Sequence, residues 1–216
     1  LKKAVNSKTC AILLEAIQGE SGVHPANYEF IKGVKKICSE NDILLIFDEV
    51  QCGMGRTGKM FGFEHYDVEP DIFTLAKGLG GGVPIGAVLA KEKIAKAFEP
   101  GDHGSTFGGN PLACAAGLAV MEAIKEENLI ENAAKMGEYF NQKLTGLAEK
   151  HPVISEVRGK GLMIGVEFKE EIAVEVKNKC FDKGYLVGSV GTNIIRILPP
   201  LIITTEDIDG MDSYYI

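Results

Sequence analysis

What the chain lacks narrows it first. It has no basic stripe: the formal net charge over 216 residues is −7, leaving no positive footprint to neutralise nucleic-acid phosphates. No apolar run approaches the ~20 residues of a membrane-spanning helix, and no signal-peptide pattern appears. The cysteines (Cys10, Cys38, Cys52, Cys114, Cys180) are odd in number, scattered and never in C-x-x-C spacing. That pattern reads as thiols of a reducing cytosol, hence a cytoplasmic protein, rather than a disulfide framework. The four histidines lie far apart, so no metal site is expected.

What is present suits a folded domain. Apolar residues make up 45% and charged residues 25%, enough core to exclude disorder. The length fits one large domain or two small ones. Both ends read as truncated: Leu1-Lys2-Lys3 is unlike a mature start, and Thr205-Glu206-Asp207 opens a helix that stops after about one turn.

Thr9 to Glu15 reads as a short apolar strand, followed by a polar loop, Gln18-Gly19-Glu20-Ser21-Gly22. Pro25 is expected to open a helix bearing Phe30, Ile31, Val34, Ile37 and Cys38 near 3.6 spacing. Ile43–Asp48, Asp71–Ala76 and Ile85–Ala90 read as strands. Short apolar strands interrupted by a helix predict an α/β fold with a parallel sheet covered on both faces. Such sheets bind ligands beyond the carboxyl ends of their strands, where Glu20, Asp48 and Lys77 fall. Asn110-Pro111 caps a helix, Leu112 to Ile124, that is apolar nearly all round and is expected to be buried. Glu127 to Lys150 reads as a long amphipathic helix ended by His151-Pro152. Beyond it come short strands near 153–158, 162–168 and 194–198 and a helix near 171–183. The change of pattern divides the chain into residues 1–126 and a smaller α+β part, 127–216.

Lys77 ends one strand and runs into Gly78-Leu79-Gly80-Gly81-Gly82; Asp48 ends another. A lysine after a strand is most often a solvated end, and Asp48-Glu49 could simply cap a loop. Together they offer what pyridoxal phosphate needs, an amine to condense with its aldehyde and a carboxylate to keep its ring nitrogen protonated. The glycines let backbone approach a ligand, and a lysine in a dry site becomes a usable nucleophile. Gly53-Met54-Gly55-Arg56-Thr57-Gly58 matches the dinucleotide pattern G-x-G-x-x-G but opens no convincing helix, so the pattern fails on context. Ser105 and Thr106, just before a helix, suit an anion such as phosphate, or an ordinary N-cap loop. Arg196 inside an apolar strand needs a carboxylate partner. That partner is a substrate, or a structural Asp or Glu, with Glu20 a candidate.

The stretch from Ile46 to Ala90, IFDEVQCGMGRTGKMFGFEHYDVEPDIFTLAKGLGGGVPIGAVLA, resembles the signature of the class III (ornithine-type) aminotransferases, of the fold-type I pyridoxal-phosphate enzymes. HGSTFGGNPLACAAGLAV and VRGKGLMIGVEF extend the resemblance over residues 9 to about 205. It implies part of the large, mostly parallel sheet domain over 1–126 and a C-terminal α+β domain over 127–216. It also implies roles. Lys77 links covalently to the cofactor, Asp48 pairs with its ring nitrogen, Val50 packs on the ring, and Gln51 lies near its phenolic oxygen. Ser105 and Thr106 reach the phosphate held by a neighbouring subunit, which requires a homodimer. Arg196 binds the α-carboxylate of glutamate or 2-oxoglutarate, and Glu20 pairs with it when the amino donor is bound.

The nearest subgroup resembles acetylornithine aminotransferase, which implies amino transfer from N2-acetyl-L-ornithine to 2-oxoglutarate. Ornithine, succinylornithine and 4-aminobutyrate are the alternative donors, and an aminomutase is a more distant reading. The family's phosphate-binding amides, ring-stacking aromatic and second substrate arginine have no counterpart in these residues. The expectation is therefore an incomplete chain, weak in cofactor binding, or a non-catalytic fragment that only folds and dimerises. The residues from Asp209 to Ile216 also depart from the family's long final helix.

Overall fold

The computed structural model describes residues 1–212. Strand β1 (Ala11–Leu14) leads into a small hairpin, β2 (Ile17–Gln18) and β3 (His24–Pro25), then helix α1 (Tyr28–Asn41). Strand β4 (Leu44–Asp48) follows, then β5 (Ile72–Leu75) and β6 (Ala87–Ala90). These form one sheet in the order β1-β4-β5-β6. β1, β4 and β5 are parallel, with Leu13 opposite Ile46 and Ile46 opposite Ile72, while β6 runs antiparallel to β5. The sheet is mixed and mostly parallel.

Pro25 does not open α1. It lies in β3 opposite Ile17, and Asn27 is the cap, its Oδ1 accepting from the N–H groups of Glu29 (2.8 Å) and Phe30 (3.3 Å). A side-chain oxygen that satisfies two orphan donors outweighs the preset φ of a proline. α1 lays Ile31, Val34 and Cys38 against Leu45 and Phe47 of β4, all buried. The opposite face of the sheet is not covered as expected. Leu13 and Val88, which share that face with Asp48 and Thr74, are 65% and 69% exposed.

Helix α2 (Glu92–Ala95) is one turn; α3 spans Pro111–Glu126 and α4 Leu129–Lys150. α3 departs from its expected burial. Ala113, Gly117 and Ile124 are buried, but Leu112 is 73%, Leu118 59% and Met121 48% exposed. One side packs on the turn after β5, through a cluster of Met54, Leu75, Leu79 and Ile124. Among the described residues nothing covers the other side.

The remaining strands are β7 (Ile154–Lys160), β8 (Met163–Phe168), β9 (Gly188–Val190) and β10 (Ile194–Ile197), with α5 (Ala173–Asp182) and α6 (Thr205–Asp212). They form an antiparallel sheet, β7-β8-β10-β9, whose core takes Met136, Phe140 and Leu144 of α4. α6 runs eight residues, longer than the single turn expected, and residues 213–216 lie outside the described residues. No described helix is long and apolar enough to cross a membrane, and no disulfide joins the described cysteines.

Two contacts fix the segment between β4 and β5. Gly161, at φ +52°, turns its backbone against Thr57 and Gly58, and α4 approaches Gly161 through Gly137; a Cβ on either glycine would overlap backbone atoms. Glu49, 1% exposed, accepts from Gly62 N–H (2.6 Å), Phe63 N–H (2.9 Å) and the Cys52 thiol (3.4 Å). Burial pushes the Glu49 carboxyl up from 4.5 to about 7, against the pull of those two amides, and burial and Glu49 together raise the Cys52 thiol.

Gly137→Ala is expected to cost about 1–3 kcal/mol, because backbone must move to admit the methyl; an unchanged urea midpoint would refute the close contact. For Glu49, the folded-state value near 7 lies above the ordinary 4.5, so folding takes up a proton between those pH values. Its contribution is greatest below the lower value and is lost as pH rises through the upper one. Relative to Glu49→Gln, the wild-type unfolding free energy is expected to fall by roughly 3 kcal/mol over that window. A difference that stays flat with pH would show that burial does not control this carboxyl.

Candidate active site

Four side chains from separate elements converge. Glu20 lies at the tip of the β2–β3 hairpin, Gln51 just beyond β4, Lys77 just beyond β5, and Arg196 on β10 of the second sheet. Glu20 Oε1 accepts from Gln51 Nε2 at 2.7 Å and from Arg196 Nη1 at 2.9 Å. Lys77 Nζ stands 3.8 Å from the same oxygen. Arg196 Nη1 also donates to Gly19 O (3.2 Å) and Gln51 Oε1 (3.3 Å). The hydrogen bonds from Arg196 and Gln51 hold the Glu20 carboxyl below its ordinary range. One carboxylate faces two cations, so the cluster keeps a net positive charge that favours an anionic ligand.

Lys77 has φ +44°. A non-glycine residue in the left-handed region carries strain, and such residues concentrate at functional sites. The Lys77 side chain is 54% exposed. With Val50, Gln51, Arg56 and Leu201 it lines a cavity of about 450 Å³.

Asp48 reaches the same end of the sheet, because β4 and β5 are parallel and Asp48 stands opposite Thr74, three residues before Lys77. Both hydrogen bonds on its carboxylate fall on Oδ1, from Val50 N–H at 2.9 Å and Thr74 Oγ1 at 3.4 Å. Oδ2 is left for a cationic group. An amine and a fixed carboxylate at one end of the sheet fit what pyridoxal phosphate requires.

Ser105 and Thr106 are not brought to this cluster. Both lie on an exposed loop, where Ser105 Oγ accepts from Gly108 N–H at 3.0 Å and, with His103 and Pro84, borders a different cavity. No group of three or more metal-ligating side chains forms among the described residues.

Two further residues were not singled out in the sequence. Arg56, inside the G-x-G-x-x-G segment, donates to the carbonyls of Leu162 (3.2 Å) and Pro199, and burial lowers its guanidinium from the ordinary value. Its only signal was an arginine amid apolar and glycine residues. Arg158, in VRGKGLMIGVEF, is buried, and an arginine inside a strand was signal enough.

The aminotransferase class-III family profile matches residues 1–213. Among curated relatives, the acetylornithine aminotransferase of Caldanaerobacter subterraneus subsp. tengcongensis is 57% identical over 97% of this chain and 53% of its own length. That of Methanocaldococcus jannaschii is 54% identical over 98% and 53%. The chain thus spans about half the length of the curated relatives it matches. Among solved structures, the acetylornithine aminotransferase of Elizabethkingia anophelis superposes with a TM-score of 0.90 at 42% identity, covering 94% of this chain and 55% of that one. The ornithine δ-aminotransferase of Plasmodium falciparum gives a TM-score of 0.93 at 39% identity, covering 99% and 57%. On this match of profile, sequence and fold, the chain belongs to the class-III aminotransferases.

Proposed function

We propose that the protein carrying this sequence transfers an amino group from N2-acetyl-L-ornithine to 2-oxoglutarate with pyridoxal phosphate as cofactor. The observation that carries the reading is the convergence of Lys77, Glu20 and Arg196 beside the carboxyl ends of β4 and β5. The choice of donor follows the relatives named acetylornithine aminotransferase. Ornithine is the second reading, favoured by the fit to the Plasmodium falciparum ornithine enzyme.

When bound, the cofactor supplies an aldehyde that captures amines and a ring that spreads carbanion charge. Lys77 Nζ would hold the aldehyde between turnovers. Once displaced by substrate, the Lys77 amine would take the proton from the amine-bearing carbon as base and deliver it as acid to the carbon that had carried the aldehyde, so that the amino group stays with the cofactor. Asp48 Oδ2 keeps the ring nitrogen protonated, since an opposite charge favours the charged form. Val50 would pack on the ring and Gln51 would lie by its phenolic oxygen. Arg196 takes the α-carboxylate of glutamate or 2-oxoglutarate in a two-point grip, and Glu20 occupies Arg196 while the donor is bound.

Ser105 and Thr106 serve the phosphate of a second copy in a homodimer. Their exposure and the apolar outer side of α3 support that assembly. Residues 1–126 belong to the cofactor-binding domain and 127–216 to the C-terminal domain, with the break falling between α3 and α4. The scattered cysteines suit the cytoplasm.

The test is absorbance with added pyridoxal phosphate, then borohydride reduction and peptide mapping, alongside transamination assays. The cofactor mass is expected on the Lys77 peptide. Lys77→Ala should erase it and slow turnover by about 10³-fold or more. Label on other lysines with Lys77 untouched, or full turnover by Lys77→Ala, would exclude the reading. Preference for ornithine over N2-acetylornithine would select the second donor.

A further inference from the structure

Glu20 sits on a hairpin whose strands are two residues each. A hairpin that short has no stability of its own, yet its tip must hold a carboxylate within hydrogen-bond distance of Arg196. Some part of the protein fixes the tip.

Across the second sheet, Arg158 on β7 stands opposite Gly165 on β8, and Gly165 stands opposite Arg196 on β10. This Arg-Gly-Arg row faces the hairpin tip. Arg158 Nε donates to Gly22 O (3.1 Å) and Val23 O (2.9 Å), and its Nη2 donates to Gly22 O (2.9 Å). Its Nη1 is held by Glu156 (2.7 Å) and Glu167 (2.5 Å). The Arg158 side chain is only 7% exposed. Between the two arginines Gly165 makes room: a Cβ there would meet Gly22 O at 2.6 Å. Arg196, on the far side of the row, takes Gly19 O and the Glu20 carboxylate.

We propose that Arg158 is a positioning residue that clamps the Gly22 and Val23 carbonyls and so holds Glu20 against Arg196, setting how readily the site exchanges amino donor for 2-oxoglutarate. This rests on the transaminase reading of the Glu20–Arg196 pair. Every Arg158 nitrogen is committed to Gly22, Val23, Glu156 or Glu167, so in this proposal it acts through Glu20. The geometry explains why an arginine is used. Its planar fork reaches two successive carbonyls at once while the third nitrogen stays tied to carboxylates on its own sheet, which a single ammonium cannot do.

If Glu20 is loosened, the donor half-reaction loses the carboxylate that neutralises Arg196. The 2-oxoglutarate half-reaction, which needs Arg196 unoccupied, loses nothing. The purified protein, its Arg158→Met variant, Glu20→Gln and the double variant are compared in each half-reaction. Arg158→Met should raise the donor KM about tenfold and leave the 2-oxoglutarate KM within about twofold. In the Glu20→Gln background it should add under about twofold, because the residue it acts through is already gone.

Amide hydrogen exchange over residues 19–24 supplies a readout independent of turnover and of cofactor, and should speed up in Arg158→Met. Should that variant fail to fold, Arg158→Lys, which keeps the charge and stem but not the fork, carries the same comparison. Equal KM changes in both half-reactions, an undiminished effect in the Glu20→Gln background, or unaltered exchange at 19–24 would each overturn the clamp. A wild-type protein that binds no pyridoxal phosphate would instead overturn the transaminase reading, and the exchange measurement would still decide the clamp.

Discussion

The candidate site depends on a seam where backbone touches backbone. Lys77 and Asp48 stand on the first sheet and Arg196 on the second, so the cluster exists only while the two sheets hold one fixed offset. That offset is set around Gly161. Leu162 N–H donates to Arg56 O at 3.0 Å, Arg56 reaches back to Leu162 O, and α4 closes over the turn at Gly137. At Gly161 itself, Gly137, Thr57 and Gly58 meet it backbone to backbone. Close-packed interiors transmit displacement rather than absorb it, so a shift at this seam moves Arg196 relative to Lys77. Glu49 performs the equivalent task within the first sheet, tying the start of the β4–β5 connection to Gly62 and Phe63.

The charges then follow from the offset. Glu20 is 73% exposed while Arg196 is 19% exposed. A pair between a solvated carboxylate and a half-sheltered guanidinium breaks at small cost, because the carboxylate regains water when it leaves. The guanidinium is more sheltered, and it also donates to the carbonyl of Gly19 and to Gln51 Oε1. A weak ion pair whose cation has other partners is suited to the exchange proposed above, in which the carboxylate yields to a substrate. A fully buried pair would resist the exchange, since separating it strands a charge in low dielectric.

The parts of this arrangement that could be read from sequence were local ones. Strand ends marked by Asp48 and by Lys77 with its glycines were visible because apolar runs stop abruptly there. Asn110 before Pro111 gave a helix start whose cap is Asn110 Oδ1 accepting from Ala113 N–H at 3.0 Å. Start signals competed at Pro25, where Asn27 two residues later supplied the stronger chemistry. β9 left no trace, since Gly188-Ser189-Val190 has neither length nor alternation. The burial of α3 was misread because periodicity reports where apolar residues stand, not whether a neighbour exists to cover them. What Glu49 and Arg158 support is not legible in the sequence, because the backbone groups they hold lie 13 or more and 135 or more residues away.

The uncovered surfaces carry a last consequence. Leu13 and Val88 are exposed on the same face of the sheet as Asp48, and Leu112, Leu118 and Met121 on the outer side of α3. Scattered apolar residues on a surface mean little, but runs of them on one sheet face and one helix side mark places where protein is meant to pack. On the transamination proposed above, the half-exposed Lys77 has a related need, because an amine acts as a base best where water is excluded. Covering the apolar side chains would remove them from water, and the hydrophobic effect would favour whatever association does so.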